Sequence, residues 1–213
     1  MTPPPPAPLP PTSLPPTSLP PAPLSPTPSQ TVGPFFGYAL PFTGGGDLVP
    51  AGHPGALTLH GRVLDGAGNP VPDALLELWQ PAPDGTRTGA PGSMRRDQVT
   101  GGFLGRDGVG FTGFGRVPTD ADGHYTLRTL VPAGVPYLSL CVFARGLGHH
   151  LFTRAYLTDH PLHPHAGGAG DALFTALEPQ RRATLEAVRE DAGRHRFDIR
   201  LQGERETTFL AFD

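Results

Sequence analysis

Glycine and proline interrupt this chain so often that long helices are disfavoured. The 213 residues include 29 glycines and 29 prolines. Proline breaks helix interiors, and both residues favour turns. The apolar runs between them are short, and several alternate between apolar and polar residues. This pattern predicts an all-β fold, an antiparallel β-sandwich with long loops.

Seven apolar segments predict the strands of this sandwich. Residues 56–64 end at the turn sequence DGAGNP, and residues 74–79 follow as the second strand of a predicted hairpin. The other predicted strands are residues 111–116, 124–130, 137–143, 196–201 and 206–212. Residues 181–189 fit a helix by propensity and a strand by alternation, and the sequence leaves both open.

The beginning of the chain has a different composition from the rest. Fourteen prolines fall within residues 1–28, and the unit LPPTS is repeated there. Such a segment cannot form a core and favours an extended polyproline II conformation. We predict a disordered tail over residues 1–26, acting as a spacer or a docking arm, and one folded domain over residues 27–213. Within the domain, residues 81–110 form a long loop of the kind that is functional or covers a partner.

Charge and cysteine content limit the partners and the compartment. The net charge is −3, from 16 basic and 19 acidic residues, which argues against nucleic acid or an anionic membrane as partner. Neither a secretory signal nor a continuous apolar run of about 20 residues occurs. The single cysteine, Cys141, fits a reducing cytosol, so we expect a cytoplasmic protein. Because Cys141 lies in an apolar run, we interpret it as a buried small side chain rather than a nucleophile.

Arg145 is the first candidate binding residue. It follows residues 137–143, an apolar segment that reads as a strand buried on both faces and that contains no histidine or carboxylate. A guanidinium at the exit of a buried strand is placed to bind an anion in a cleft. It could equally form a structural ion pair at the strand end. The spacing alone leaves both interpretations open.

Three histidines form a second candidate site. His160, His163 and His165 lie within six residues, a spacing that could bind zinc, copper or nickel. Glycines follow them, and no neighbouring framework fixes ligand geometry, so a solvated loop is the favoured interpretation. No HExxH, CxxC or GxSxG motif and no phosphate-binding glycine loop occurs.

Short motifs follow one another along residues 27–213. They are TPSQTVGPFF at 27–36, GRV at 61–63, PVPDA at 70–74, ELWQ at 77–80, FTGFGR at 111–116, VFARGL at 142–147 and RFDIRLQG at 196–203. In this order they resemble the intradiol ring-cleavage dioxygenases. The resemblance implies a β-sandwich enzyme that uses O2 to cut a catechol ring between its two hydroxyls.

The resemblance also implies where iron is held. Iron-binding members of the family hold ferric iron with two tyrosines and two histidines, and the histidines form a His-x-His motif on the strand matching residues 137–143. Here Tyr137 and Ser139 occupy those two positions. The matching tyrosine-bearing loop is reduced to residues 131–136, and residues 81–110 contain no tyrosine. The resemblance therefore implies a chain that binds no metal and relies on a homologous iron-binding beta subunit for Fe(3+).

The implied role of this chain is substrate binding in a shared cleft. The resemblance assigns Arg145 to the carboxylate of the aromatic acid protocatechuate, with Thr31 and Pro34 shaping the cleft wall and no catalytic residue in this chain alone. The expected product is 3-carboxy-cis,cis-muconate. An alternative rests on residues 61–74, which also resemble transthyretin-like domains and would indicate a non-enzymatic β-sandwich binding module.

Overall fold

The computed structural model describes residues 35–87, 94–106, 110–160, 171–191 and 193–212. In these residues the helices are short: α1 (Phe36–Ala39), α2 (Ala172–Ala176) and α3 (Pro179–Ala183). The strands are β1 (Leu57–Leu64), β2 (Leu75–Trp79), β3 (Met94–Arg96), β4 (Phe103–Arg106), β5 (Phe114–Pro118), β6 (His124–Thr129), β7 (Tyr137–Phe143), β8 (Leu151–Tyr156), β9 (Val188–Asp191), β10 (Arg194–Arg196) and β11 (Ile199–Arg200). None of the described helices has the length and apolar character needed to cross a membrane. The prediction of an all-β fold with long loops is confirmed.

Two sheets pack face to face around one main core. The first sheet has the order β11-β1-β10-β9, with β6 on the other edge of β1, and the second has the order β5-β2-β7-β8. β3 and β4 form a separate hairpin within the predicted long loop. Each sheet contributes alternate apolar residues to the core, such as Leu59 and Leu127 from the first and Leu76 and Leu140 from the second. Burying such side chains contributes about 1.5–3 kcal/mol each, which makes this interface the main source of stability.

The sandwich is not antiparallel throughout. β1 pairs antiparallel with β6, but its other edge pairs parallel with β10 through Leu59 and His195, and with β11 through Val63 and Ile199. Alternation in a sequence reports which residues share a face and not the direction of the neighbouring strand. The second sheet is antiparallel at every pairing described.

The predicted hairpin between β1 and β2 is wrong. The turn forms as expected, since Asp65 Oδ1 accepts the Ala67 and Asn69 amide hydrogens at 2.9 and 2.8 Å. Beyond it, a single bridge joins Leu64 to Pro70, and the chain then crosses to the opposite sheet. Proline has no amide hydrogen, so Pro70 and the following Pro72 cannot continue a ladder alongside β1.

The C-terminal predictions were partly correct. Residues 206–212 do not form a strand, and their described pairing is one bridge between Leu210 and Phe152. Residues 181–189, which fitted either a helix or a strand, contain the end of a helix and the start of a strand, since α3 ends at Ala183 and β9 begins at Val188. The predicted tail over residues 1–26 lies outside the described residues, and its boundary with the domain stays a prediction.

Candidate functional site

The outer face of the second sheet is open in its middle. On β7, Leu138, Leu140 and Val142 point into the core, whereas Tyr137 and Ser139 are only half-buried on the outer face. The prediction that this segment is buried on both faces is therefore wrong for its first half. The reason is that no layer of the described chain covers the outer face there.

Helices cover the two ends of this outer face. At one end, Phe36 of α1 packs against Phe143, with ring centroids 6.5 Å apart. At the other end, Tyr156 of β8 packs on Phe174 of α2, with centroids 4.2 Å apart. The space between these covered ends forms the candidate site.

Asp171 fixes the second of these ends. Its carboxylate caps α2 by accepting the Phe174 amide hydrogen at 2.9 Å, and it accepts the Tyr156 hydroxyl at 2.9 Å. Arg154 donates a hydrogen bond from Nη1 to the same carboxylate at 3.2 Å, and its guanidinium lies 4.0 Å from the Tyr137 ring centroid. Burial raises the pKa of the Tyr156 hydroxyl, so that hydroxyl remains a protonated donor. Tyr137 is therefore held against a rigid, charge-compensated support.

A cavity of about 330 Å³ lies beside Tyr137, and we call it the Trp79 cleft. Its lining consists of Trp79, Gln80, Pro81, Arg87, Gly113, Val135, Tyr137 and Ser139. A second cavity of about 330 Å³ shares Trp79 and Ser139 with it and extends past Cys141 toward the C-terminal segment. Trp79 and Ser139 are cross-strand partners, so this pair separates the two cavities.

Cys141 is buried, as predicted. Burial, with a smaller contribution from the Glu77 carboxylate, raises the pKa of the thiol to about 12. A thiol with this pKa carries almost no thiolate at neutral pH. The interpretation of Cys141 as a small packing residue is confirmed.

Arg145 lies outside both cavities, beyond the end of β7. Its guanidinium forms an ion pair with Asp73, and the Arg145 side chain is 70% exposed. The structure therefore contains the ion pair that the sequence offered as one of two interpretations. Asp73 was not identified as the partner, although it belongs to the PVPDA motif. A largely exposed pair of this kind does not exclude binding of a ligand carboxylate to the same guanidinium.

Several hydrogen bonds and ion pairs hold strands together within each sheet, and most of the residues that form them belong to the family motifs. Glu77 on β2 and Arg116 on β5 form an ion pair with side chains only 13% and 9% exposed. The Tyr125 hydroxyl donates to the Phe197 carbonyl at 2.5 Å inside the core. Asp198 accepts the Arg62 amide hydrogen at 3.0 Å. Much of the motif pattern therefore serves the fold rather than the site.

The described residues contain no group of three or more His, Cys, Asp or Glu side chains placed to hold a metal ion. His160 is not solvated as predicted, because it is buried with its ring centroid 5.4 Å from that of buried His195. The other two histidines of the loop, His163 and His165, lie outside the described residues, as do the predicted cleft residues Thr31 and Pro34. For these residues the roles stay predictions.

Comparison with known proteins identifies the family. A family model described as Dioxygenase matches residues 45–142, from before β1 to most of β7. The protocatechuate 3,4-dioxygenase alpha chain of Burkholderia cepacia is 39% identical over 203 residues, covering 85% of this chain and 95% of the relative. The chain belongs to the intradiol ring-cleavage dioxygenase family.

Other intradiol dioxygenases are similar to this chain at lower identity. The protocatechuate 3,4-dioxygenase beta chain of the same species is 29% identical over 145 residues, covering 63% of this chain and 53% of that relative. A solved intradiol ring-cleavage dioxygenase from Tetranychus urticae aligns with a TM-score of 0.50 and 16% identity, covering 82% of this chain and 93% of that chain. At this identity the structural match shows a shared fold.

Family membership decides between the two functional interpretations. The identity to a curated relative confirms the resemblance to this family. Because intradiol dioxygenases are oxygenases that use iron, an enzyme subunit is favoured over a non-enzymatic transthyretin-like module. Homologues of two kinds, named alpha and beta chains, both match this chain. This suggests an assembly of two homologous chains.

Proposed function

We propose that this chain is the iron-free alpha subunit of a protocatechuate 3,4-dioxygenase. The supporting observation is the 39% identity to an alpha chain over 95% of that relative's length. A homologous beta subunit would hold the ferric iron, since Tyr137 and Ser139 stand where iron-binding members carry histidines. We expect the assembly in the cytoplasm, because the single cysteine fits a reducing compartment.

The proposed reaction adds both atoms of O2 to protocatechuate. The carbon–carbon bond between the two hydroxyl-bearing carbons breaks, and each of these carbons becomes a carboxyl carbon of 3-carboxy-cis,cis-muconate. Ferric iron in the beta subunit would bind the catechol oxygens and activate the ring. This chain would bind and orient the substrate through its carboxylate.

Arg145 is the residue proposed to bind that carboxylate. Its guanidinium has one described anionic partner, Asp73, and most of its surface is open to solvent. An exposed ion pair of this kind contributes at most about 1 kcal/mol, so a ligand carboxylate can replace Asp73 at little cost. A planar guanidinium binds a carboxylate through two parallel hydrogen bonds, which would also fix the ring orientation. Thr31 and Pro34 are proposed to line the same cleft.

Steady-state kinetics of the assembled enzyme test this proposal. Coexpression with an iron-binding beta chain should give protocatechuate-dependent O2 uptake, and neither chain alone should do so. Arg145→Ala should raise KM for protocatechuate by a factor on the order of 10–100, because the cleft shared with the beta subunit would remove the Arg145–carboxylate pair from water. An assembled enzyme without activity would refute the function, and an unchanged KM would refute the role of Arg145.

Asp73→Asn provides the matched control. It removes the same ion pair while leaving the Arg145 guanidinium in place. If Arg145 binds substrate, Asp73→Asn should leave KM within about twofold of the wild-type value, because an exposed pair contributes little. If Arg145 acts only through Asp73, the two variants should raise KM equally.

A further inference from the structure

We propose that His60 and His124 form a binding site for a zinc ion on the outer face of the first sheet. His60 lies on β1 and His124 on the neighbouring β6, and the two are diagonal neighbours across this antiparallel pair. Because Leu59 and Leu127 point into the core, both histidines point away from it. The site is therefore on the other sheet from the Trp79 cleft and contains no residue assigned to the proposed function.

The distance between the two facing ring nitrogens fits a tetrahedral metal. His60 Nδ1 lies 3.3 Å from His124 Nε2. Zinc binds imidazole nitrogens at about 2.0–2.1 Å in tetrahedral geometry, which places two ligand nitrogens about 3.3–3.4 Å apart. Square-planar Cu²⁺ or Ni²⁺ would hold neighbouring nitrogens about 2.8–3.0 Å apart. The observed distance therefore favours zinc, and a direct N–H···N hydrogen bond between the two rings is the alternative interpretation.

Glu190 determines which nitrogen of His60 faces His124. Its Oε2 lies 2.8 Å from His60 Nε2. The hydrogen bond to His60 lowers the pKa of the Glu190 carboxyl, so this group is ionised at neutral pH and can only accept. In the neutral ring the proton is therefore on Nε2 and the lone pair on Nδ1, which faces His124. Histidines that bind a metal usually donate their other nitrogen to a carboxylate in this way.

Burial and charge around the pair are compatible with a cation. The His60 side chain is only 9% exposed, so this ligand is already ordered, whereas His124 is half-buried and leaves room for water ligands. Arg194 lies 3.2 Å from His60 Nε2, the nitrogen that does not face His124, and Glu190 compensates its charge by accepting from Nε at 3.1 Å. Arg62, opposite His124 on β1, is exposed, so solvent screens its charge.

The site has two protein ligands, and water would complete the coordination. This agrees with the finding that the described residues contain no group of three or more ligands. Two ligands are half the number in a structural zinc site, so we expect a Kd on the order of 10 µM, far weaker than such a site. A zinc ion there would join β1 to β6 and, through Glu190, to β9.

Equilibrium dialysis of the full-length chain against Zn²⁺, followed by metal analysis, tests the proposal. The histidines of residues 160–165 could also bind zinc, so every protein in the series carries His163→Gln and His165→Gln. This parent chain should bind Zn²⁺ saturably, and bound Zn²⁺ should raise the urea concentration at its unfolding midpoint. The measurement needs no partner chain, iron or activity, so its result is independent of the proposed function.

Single variants in the parent chain test the assignment of the ligands. His124→Gln and His60→Gln should each weaken Zn²⁺ binding about a hundredfold, because each removes one of two ligands. Glu190→Gln should weaken it about tenfold, because it removes the carboxylate that orients His60. His149→Gln is the matched control, since His149 is an exposed histidine after β7 of the other sheet, and it should leave the affinity unchanged.

Three results would each overturn the proposal. The first is a lack of saturable Zn²⁺ binding by the parent chain. The second is equal binding by the His124→Gln variant and the parent chain, which would assign the bound zinc to other histidines and leave the pair as a hydrogen bond. Because His124 is only half-buried, this variant should fold, and circular dichroism checks that it does. The third is a Glu190→Gln variant that binds as tightly as the parent chain.

Discussion

Replacing Arg116 with methionine is expected to destabilise the sandwich by about 3–5 kcal/mol. Arg116 donates from Nε to Glu77 Oε1 at 2.8 Å and from Nη1 to the Leu40 carbonyl at 3.2 Å. Both side chains of the pair are almost fully buried, so Arg116→Met leaves the Glu77 carboxylate without a cation and away from water. A loss of this size is a large part of the total stability of a typical domain, which is about 5–15 kcal/mol.

Urea unfolding followed by circular dichroism measures this loss. The double variant Glu77→Leu/Arg116→Met removes both charges, so it should be more stable than Arg116→Met alone. Arg128→Met is the control, because its pair with Asp47 is 34% and 51% exposed and should contribute less than about 1 kcal/mol. The reasoning fails if Arg116→Met costs no more than Arg128→Met, or if the double variant is less stable than Arg116→Met.

Three further predictions concern other buried positions. Both ring nitrogens of His195 lack hydrogen-bond partners among the described residues, and burial lowers its pKa. Below about pH 6.5 the His195 imidazole of the unfolded chain binds a proton more readily than the buried imidazole of the folded chain. The urea concentration at the unfolding midpoint should therefore fall as the pH drops from 7 to 5.5, and His195→Phe should reduce this pH dependence. Cys141, whose thiol pKa is raised to about 12, should react with a thiol reagent at pH 8 only after denaturation, and rapid native labelling would contradict its burial. A Cβ at Gly61 would lie 2.0 Å from the Phe197 carbonyl oxygen, so Gly61→Ala should lower the free energy of unfolding by about 1–3 kcal/mol, and a neutral effect in urea unfolding would show that β1 can move away.

The sequence was sufficient to locate the central strands of both sheets, but β3, β4 and β8 were not predicted. Residues 137–143 and 124–130 were predicted as strands, and the structure has them at Tyr137–Phe143 and His124–Thr129. The alternation of apolar and polar residues and the turn residues between them are local signals in the sequence, and they indicate where a strand begins and ends. Pairing is non-local, and this explains why the hairpin of residues 56–79 was predicted in place of a crossover between sheets. The parallel contacts of β1 with β10 and β11 were missed for the same reason.

The candidate site was less accessible to sequence reasoning. Arg145 was identified from its position after an apolar strand, but its ion pair with Asp73 joins residues 72 positions apart and left no local signal. The Trp79 cleft likewise depends on β2, β7 and Arg87 meeting on one face. The buried contact of His160 with His195 contradicted the solvated-loop prediction because β10, which carries His195, pairs far along the chain. Each of these features is set by tertiary contacts.

Iron content tests the central claim most directly. The account predicts that the purified chain contains no iron and lacks the red-brown tyrosinate-to-iron absorption, whereas its complex with a homologous beta chain contains one iron per pair of chains and cleaves protocatechuate. The measurement is metal analysis and a visible spectrum of the chain alone and of the complex, prepared in the same way. A coloured, iron-containing and active chain without a partner would contradict the account.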